Sequence, residues 1–512
     1  MLLYYGLIIL AVGVAAQLSL AVFQGLTSPL RSIPGPFWAR FTRLWYFIRV
    51  AKGEFEKENI ALHRHYGPIV RIAPTMYSID IPGTPVKQIY GISSKMPKSE
   101  WYEGWKHPSP DRWTLFPDRN MKRHGETRRR FQGLYSMSSL VSYESYVDSC
   151  TDIFEQRLRE FARDGDTVNL MHWLQCYAFD VIGEITYSRR FGFLDAGKDV
   201  AGLLDALSRN MAYSTLVGVY PRLHKYLFAV MSWFSVGGAA GRAYLMKFVD
   251  ERLSQRRMER KQDAVKPVFP ADENAPQDFT DKLLVQNEED PSKVTAYHVF
   301  MMGLSNIIAG SDTTAISLAA IMYHLIRTPA ALGKLREEVD DFAAKDQFAG
   351  GHLSFQSSRD MTYLQAVIKE ALRLHAATGL PLWRDVAEGG MEMDGIFFPE
   401  GTTVGLNTWC AHYNEAVFGA DAGEFRPERW LEAEADADGK RLEEMNAYYL
   451  PFGLGSRTCL GRHISYLEMS KLVPLLVKNF EFEMVDAGKE WKTENYWFVK
   501  PVDFPVKVKQ RK

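Results

Sequence analysis

The chain has 512 residues, 46% of them apolar, enough to bury one large core or two modest ones. Its 61 Lys and Arg nearly balance its 62 Asp and Glu, so overall charge gives no reason to expect a nucleic-acid partner. The cysteines, Cys150, Cys176, Cys410 and Cys459, are too scattered for a tetrathiolate zinc site or a disulfide framework, and they favour a reducing compartment.

In chain order, "MLLYYGLIILAVGVAAQLSLAVF" comes first, with only Gln17 and Ser19 clearly polar, and it has about the length a helix needs to cross a bilayer. No basic residue precedes it, whereas Arg31, Arg40, Arg43, Arg49 and Lys52 follow. A cleaved signal peptide expects the reverse, so the reading is a transmembrane signal anchor over residues 1–24 with the body of the chain on the cytoplasmic side. Pro29, Pro34 and Pro36 cannot continue that helix and mark a proline-rich connector over 25–45, leaving 46–512 for the globular body.

"GPIVRIAPTMYSIDI" (67 to 81) predicts two short strands broken at Pro74. Helical periodicity dominates from Ser136 to Leu325, interrupted by a charged, proline-broken loop over 260 to 279. Residues 294 to 328 are apolar nearly all round and free of proline, which suits a core helix; Asn306, Ser311, Asp312, Thr313 and Thr314 in its middle would be costly in lipid. Residues 358 to 375 read as one amphipathic helix, and short strands follow at "GIFFPEGTTVGLNTW", "FEFEMV" and "DFPVKVK". The expected fold is therefore mainly α with small peripheral β-sheets.

"FGLGSRTCLG" (452 to 461) carries the chemistry. A packing cysteine needs neither an arginine nor three glycines around it. Here Gly453 and Gly455 permit a tight turn, Arg457 supplies a cation for a carboxylate, and Gly461 lets the next helix approach a flat object. A thiolate at Cys459 aimed at a metal, beside a carboxylate-bearing flat group, fits a haem with sulfur as axial ligand.

On this motif the sequence resembles the cytochrome P450 family, and the family's other elements occur in its order. "EALR" gives Glu370 and Arg373 on one helix face and "FRPERW" gives Arg429, matching the family's buried Glu-Arg-Arg network. "AGSDTT" (309 to 314) resembles the oxygen-activating stretch, in which Asp312 and Thr313 form the acid–alcohol pair and Thr313 bonds back to a carbonyl one turn earlier. His124 and Arg128 in "RHGETRRRF", and Arg384 in "GLPLWRDVAEGG", match positions that meet a haem propionate, although many members have Trp in place of His124. In this resemblance Phe452 shields the sulfur. "FDVIGEITYSRRFGFLD" and residues 401 to 430 narrow the likeness to the fungal pisatin demethylase-like group, whose members oxidise apolar, often polycyclic secondary metabolites.

The resemblance implies a P450 fold, one large haem domain behind the anchor, and a monooxygenase that inserts one atom of O2 into a lipophilic small molecule by hydroxylation, O-demethylation or a related oxidation. The cofactor would be haem b. "GGAAGRAY" is not a dinucleotide fingerprint, so electrons from NADPH must arrive through a separate protein. The resemblance implies a NADPH-cytochrome P450 reductase, with cytochrome b5 as a further candidate partner, at the endoplasmic reticulum membrane. A reductase-independent haem-thiolate isomerase or dehydratase is the alternative within the fold, and a haem sensor without turnover the alternative outside it; the acid–alcohol pair favours the monooxygenase. The substrate pocket is expected to draw on Trp101 to Phe116, Met211 to Phe228, the long helix before Ala309, residues 377 to 383, and Trp497 and Phe498.

Overall fold

The computed structural model describes residues 1–137, 139, 142–265 and 278–511. Its organising element is the helix Ala296–Arg327. Thr295 starts it with a capping box: its hydroxyl accepts from the His298 N–H at 3.3 Å, and the imidazole Nδ1 accepts from the Thr295 N–H at 3.1 Å. The helix is apolar and long enough to cross a membrane, yet 72% of its most apolar window is buried by other elements, so it runs through the core as expected. Leu170–Tyr187 packs along its length, and Thr362–Leu374 and Arg462–Asn479 close the other side.

The sheets lie at the edges. One has four strands in the order Ile69–Ala73, Met76–Ile79, Thr403–Gly405, Arg384–Asp385, with antiparallel, parallel and antiparallel pairings. It places Arg384 opposite Val404 at the rim of the core. A second joins Thr167–Asn169, Pro505–Gln510 and Phe480–Met484, and Thr493–Tyr496 pairs with Phe498–Pro501 in a tight hairpin. The expected strand pairs at 67–81 and near the C-terminus are all present.

One expectation is corrected, one is sharpened, and one falls mostly outside the described residues. Residues 358–375 form two helices, Phe355–Asp360 and Thr362–Leu374, because Met361 leaves the helical conformation with ψ 88°. The connector does not stand apart from the body: Leu30 and Ile33 are buried in a core with Tyr77 and Phe398, and Arg71 donates to the carbonyls of Leu30 and Pro34 at 2.5 and 2.8 Å. The connector expected over 25–45 thus contributes side chains to the core of the body. The loop expected over 260 to 279 falls mostly on 266–277, outside the described residues, and its flanks are helical, in Gly237–Val265 and from Phe279. "GGAAGRAY" lies inside the first of these helices. The N-terminal stretch is one continuous helix, Leu2–Thr27, with Tyr4, Val12, Leu20 and Phe23 exposed.

Candidate active site

Cys459 sits at the end of a turn that the surrounding backbone dictates. Its N–H donates to the Phe452 carbonyl at 2.8 Å, and the Thr458 hydroxyl donates to the Gly455 carbonyl at 2.8 Å. Gly455 has φ +59°, and a Cβ there would lie 1.9 Å from the Tyr90 carbonyl, so glycine is obligatory. Cys459 is the one exposed cysteine of the four although it lies deep in the protein; what it is exposed to is an internal cavity of ≈ 320 Å³. Burial pushes its thiol above the ordinary range, opposed by the Gly461 N–H, the Arg128 guanidinium and the N–H of Arg462. The sulfur therefore faces open space with donors arranged behind it.

Cations crowd one side of the cavity. Arg128 donates to the Thr458 carbonyl at 2.5 Å, Arg457 to the Asp118 carbonyl at 2.8 Å, and Arg384 to the carbonyls of Leu382 and Trp383 at 3.2 and 2.9 Å. Lys98 joins them; it donates to the Phe116 carbonyl at 2.5 Å and lies 3.9 Å from that ring's centre. No carboxylate among the described residues answers this group directly, since Asp118 is engaged by Arg123 with two bonds of 2.8 Å. Burial, and after it mutual repulsion, disfavours the charged forms. Lys98 is driven well below its ordinary pKa by burial, Arg384 and Arg457, and Arg457 is lowered to about 10 by burial and Arg384. His124 also lines the cavity, and burial with Arg457, Lys98 and Arg128 lowers it to about 3. It is thus a neutral imidazole, able to donate one hydrogen bond to an anion but not to balance its charge.

Across the cavity lies the middle of Ala296–Arg327. Ala309, Gly310 and Thr313 face the space, and the Thr313 hydroxyl donates to the Ala309 carbonyl at 2.6 Å, as the sequence predicts. Asp312 does not line the cavity. Its Oδ1 accepts from the Gln175 amide and lies 3.5 Å from the Lys500 ammonium, with its side chain 8% exposed. The structure therefore separates the two members of the acid–alcohol pair: one faces the cavity, and the other is held beside it.

Glu370, Arg373 and Arg429 come together away from the cavity, all fully buried. Arg373 meets Glu370 bidentately at 2.7 and 2.9 Å, and Arg429 reaches it at 3.1 Å. The Trp430 indole and the Arg426 N–H donate to the same carboxylate at 2.9 and 3.2 Å, and Arg429 also meets Asp421 at 2.8 Å. Trp383, whose orientation sequence leaves open, is fully buried against Tyr46 and outside the cavity, while its neighbours Leu382 and Arg384 line it. Of the stretch 211 to 228, Met211 alone among the described residues reaches the wall; Phe228 packs on His107.

The residues fit the group expected between sulfur and helix. Among the described residues the buried Arg457 Nη2 has no partner, as expected of a guanidinium awaiting a carboxylate. A Cβ on Gly461 would meet nothing nearer than the Cys459 sulfur at 4.0 Å, so packing within the protein does not demand that glycine, and the room it leaves opens toward the cavity. Arg128, Arg384, Arg457, Lys98 and the His124 N–H would hold two propionates. Lys98 escapes sequence reasoning: in "SSKMPKSEWYEGW" nothing sets it apart from Lys95, and its burial becomes visible only when Phe116 and Arg384 fold around it.

The comparisons with known proteins agree with this geometry. A pisatin demethylase of Fusarium vanettenii is 38% identical over 98% of this chain and 92% of its own length. A cytochrome P450 monooxygenase of Aspergillus terreus is 38% identical over 91% of this chain and 94% of its own, and one of Penicillium aethiopicum 34% identical over 94% of each. The family model described as Cytochrome P450 matches residues 34–507, which takes in the cysteine loop, the long central helix and the strand that carries Arg384. The chain belongs to the cytochrome P450 family.

Proposed function

We propose that this protein is a haem-thiolate monooxygenase acting on a lipophilic small molecule, with electrons delivered from NADPH by a separate reductase at the endoplasmic reticulum membrane. The observation that carries the reading is the cavity that sets Cys459 opposite Thr313 with a cationic rim to one side. A haem held by Cys459, when bound, supplies the chemistry of oxygen activation and oxygen-atom transfer. The protein's share is positioning and protons. Arg128, Arg384, Arg457 and Lys98 would hold the cofactor through its carboxylates, and Ala309 and Gly310 leave the cavity open along the central helix. Thr313 commits its hydroxyl hydrogen to Ala309, so its oxygen presents a lone pair that holds a water at the reacting centre. Asp312 returns protons to that water from beside the cavity.

The remaining walls favour an apolar, ring-bearing substrate: Tyr102, Trp105, Phe116, Trp497 and Phe498 line one side and Met211, Met302 and Ile308 another. Pisatin, named for the Fusarium relative, is the natural first probe for O-demethylation. Membrane attachment is supported by the exposed apolar residues of the N-terminal helix and by two further patches, Phe37 with Trp38, and Tyr226, Val230, Trp233 and Phe234. Phe47 against Tyr220, ring centres 6.0 Å apart, ties the N-terminal region to the segment that leads into the second patch. An anchor helix, connector and body would then share one membrane-facing side.

Reconstitution with NADPH and a P450 reductase tests the reading. Oxidised product that depends on both supports it, and redox-neutral rearrangement or dehydration of a substrate peroxide, with no reductase and no other molecule oxidised, would instead establish the isomerase or dehydratase alternative. Thr313→Ala is expected to lower product per NADPH by roughly tenfold and raise hydrogen peroxide correspondingly; unchanged coupling would remove Thr313 from the proton path.

A further inference from the structure

We propose that Lys500 is a positioning residue that couples occupancy of the cavity at Phe498 to the orientation of Asp312. This rests on the monooxygenase reading of the cavity and adds to it a link between the substrate wall and the proton path.

The link is built into the hairpin Thr493–Tyr496/Phe498–Pro501. Phe498 lines the cavity, and Lys500 follows it by two positions on the same strand. Residues two apart stand on the same face of a strand, roughly 6–7 Å from one another, so both project toward the central helix. One touches the ligand space and the other touches Asp312, at 3.5 Å. The Lys500 side chain is 35% exposed and that of Asp312 8%, so the ion pair sits where the carboxylate meets the edge of solvent. Gln175, from Leu170–Tyr187, donates to the same oxygen. Asp312 is therefore clamped between a helix and the strand that forms the substrate wall.

That strand is poised to respond. Its turn rests on Trp497 with φ +83°, a conformation that a bulky side chain adopts only when its surroundings hold it there. The Gly379 N–H donates to the Trp497 carbonyl at 3.0 Å, and the indole packs on Trp101 at 5.1 Å, Trp105 at 5.6 Å and Phe116 at 5.6 Å between ring centres. A ligand that alters this packing moves the strand, and Lys500 carries the movement to Asp312. By linkage the reverse holds: releasing the ion pair alters binding at Phe498.

The test is a double-mutant cycle on the ferric full-length holoprotein, read by the Soret shift on titration with 4-phenylimidazole, whose ring reaches beyond the iron, and with imidazole as the small control. Lys500→Met and Asp312→Asn are each expected to weaken 4-phenylimidazole roughly three- to tenfold, with the double variant no weaker than either single one. Imidazole affinity should stay within about twofold, and Lys500→Arg should bind like the parent. Additive effects, unchanged 4-phenylimidazole affinity, or equal losses for imidazole would overturn the coupling. Melting temperature and the carbonyl-complex spectrum separate these outcomes from misfolding. A parent protein without a thiolate carbonyl spectrum would sink the monooxygenase reading itself, whereas an intact spectrum with additive effects would sink only the role of Lys500.

Discussion

Two groups of buried charge invite comparison. Around Glu370 the account balances inside the protein: Arg373, Arg429, Trp430 and the Arg426 N–H all converge on one carboxylate, and Asp421 takes the far end of Arg429. Around the cavity it does not balance. Lys98, Arg128, Arg384 and Arg457 share a small volume, Asp118 is already bound by Arg123, and one buried Arg457 nitrogen has no partner among the described residues. A closed network stabilises a fold, whereas an open cluster of one sign stores repulsion until an anion arrives. The same residue type, arginine, serves structure in one place and binding in the other.

The largest expected effect comes from breaking the closed network. Glu370→Gln leaves the fully buried Arg373 guanidinium without a carboxylate and takes one of two carboxylates from Arg429, at a cost of about 3–5 kcal/mol against a total stability of about 5–15 kcal/mol. Loss of soluble holoprotein on expression, or an unfolding free energy lowered by that amount in denaturant titration, checks it; a variant as stable as the parent would mean the network is not the lock its geometry suggests.

Removing a rim cation should do the opposite. Arg457→Leu relieves repulsion while losing one bond to the Asp118 carbonyl, so the stability of the haem-free protein should stay within about 1 kcal/mol of the parent. Haem transfer to an excess of apomyoglobin, by contrast, should accelerate by about tenfold, the worth of one charge-assisted contact. Equal losses in both measurements would erase the distinction between the two regions.

A smaller effect lies at a third buried carboxyl. The Glu56 carboxyl accepts from the Asn495 amide at 2.7 Å and is also favoured by its own backbone N–H, and among the described residues its Oε1 has no partner within hydrogen-bond distance. Burial raises it to about 7. The folded state thus holds this proton more tightly than the unfolded chain, whose Glu titrates near 4.3. The stability linked to it is full below about pH 4 and is lost as pH rises through about 7. Melting curves from pH 5 to 8 should therefore decline more in the parent than in Glu56→Gln; parallel curves would contradict the assignment.

Much of this was legible in the residues. The cysteine loop announces itself because its turn needs glycine where a backbone carbonyl passes, as at Gly455 against Tyr90, and such demands fix residue types at fixed spacing. The central helix is equally plain, since a uniformly apolar run interrupted by Asn306, Asp312 and Thr313 is costly in lipid. The separation of Asp312 from Thr313 was not legible, because neighbours on a helix point about 100° apart and the partner that claims Asp312, Lys500, lies far away in sequence. Lys98 was hidden for the same reason. The break at Met361 was missed because the apolar spacing continues across it without any glycine or proline.

The central claim is that Cys459 presents a thiolate to a haem iron. Its most direct test is the carbonyl-complex spectrum of the reduced protein, with Cys459→Ser as the comparison. The account predicts a thiolate-type Soret band in the parent and its loss in the variant. A band unchanged by the substitution, or absent from a haem-loaded parent, would contradict it.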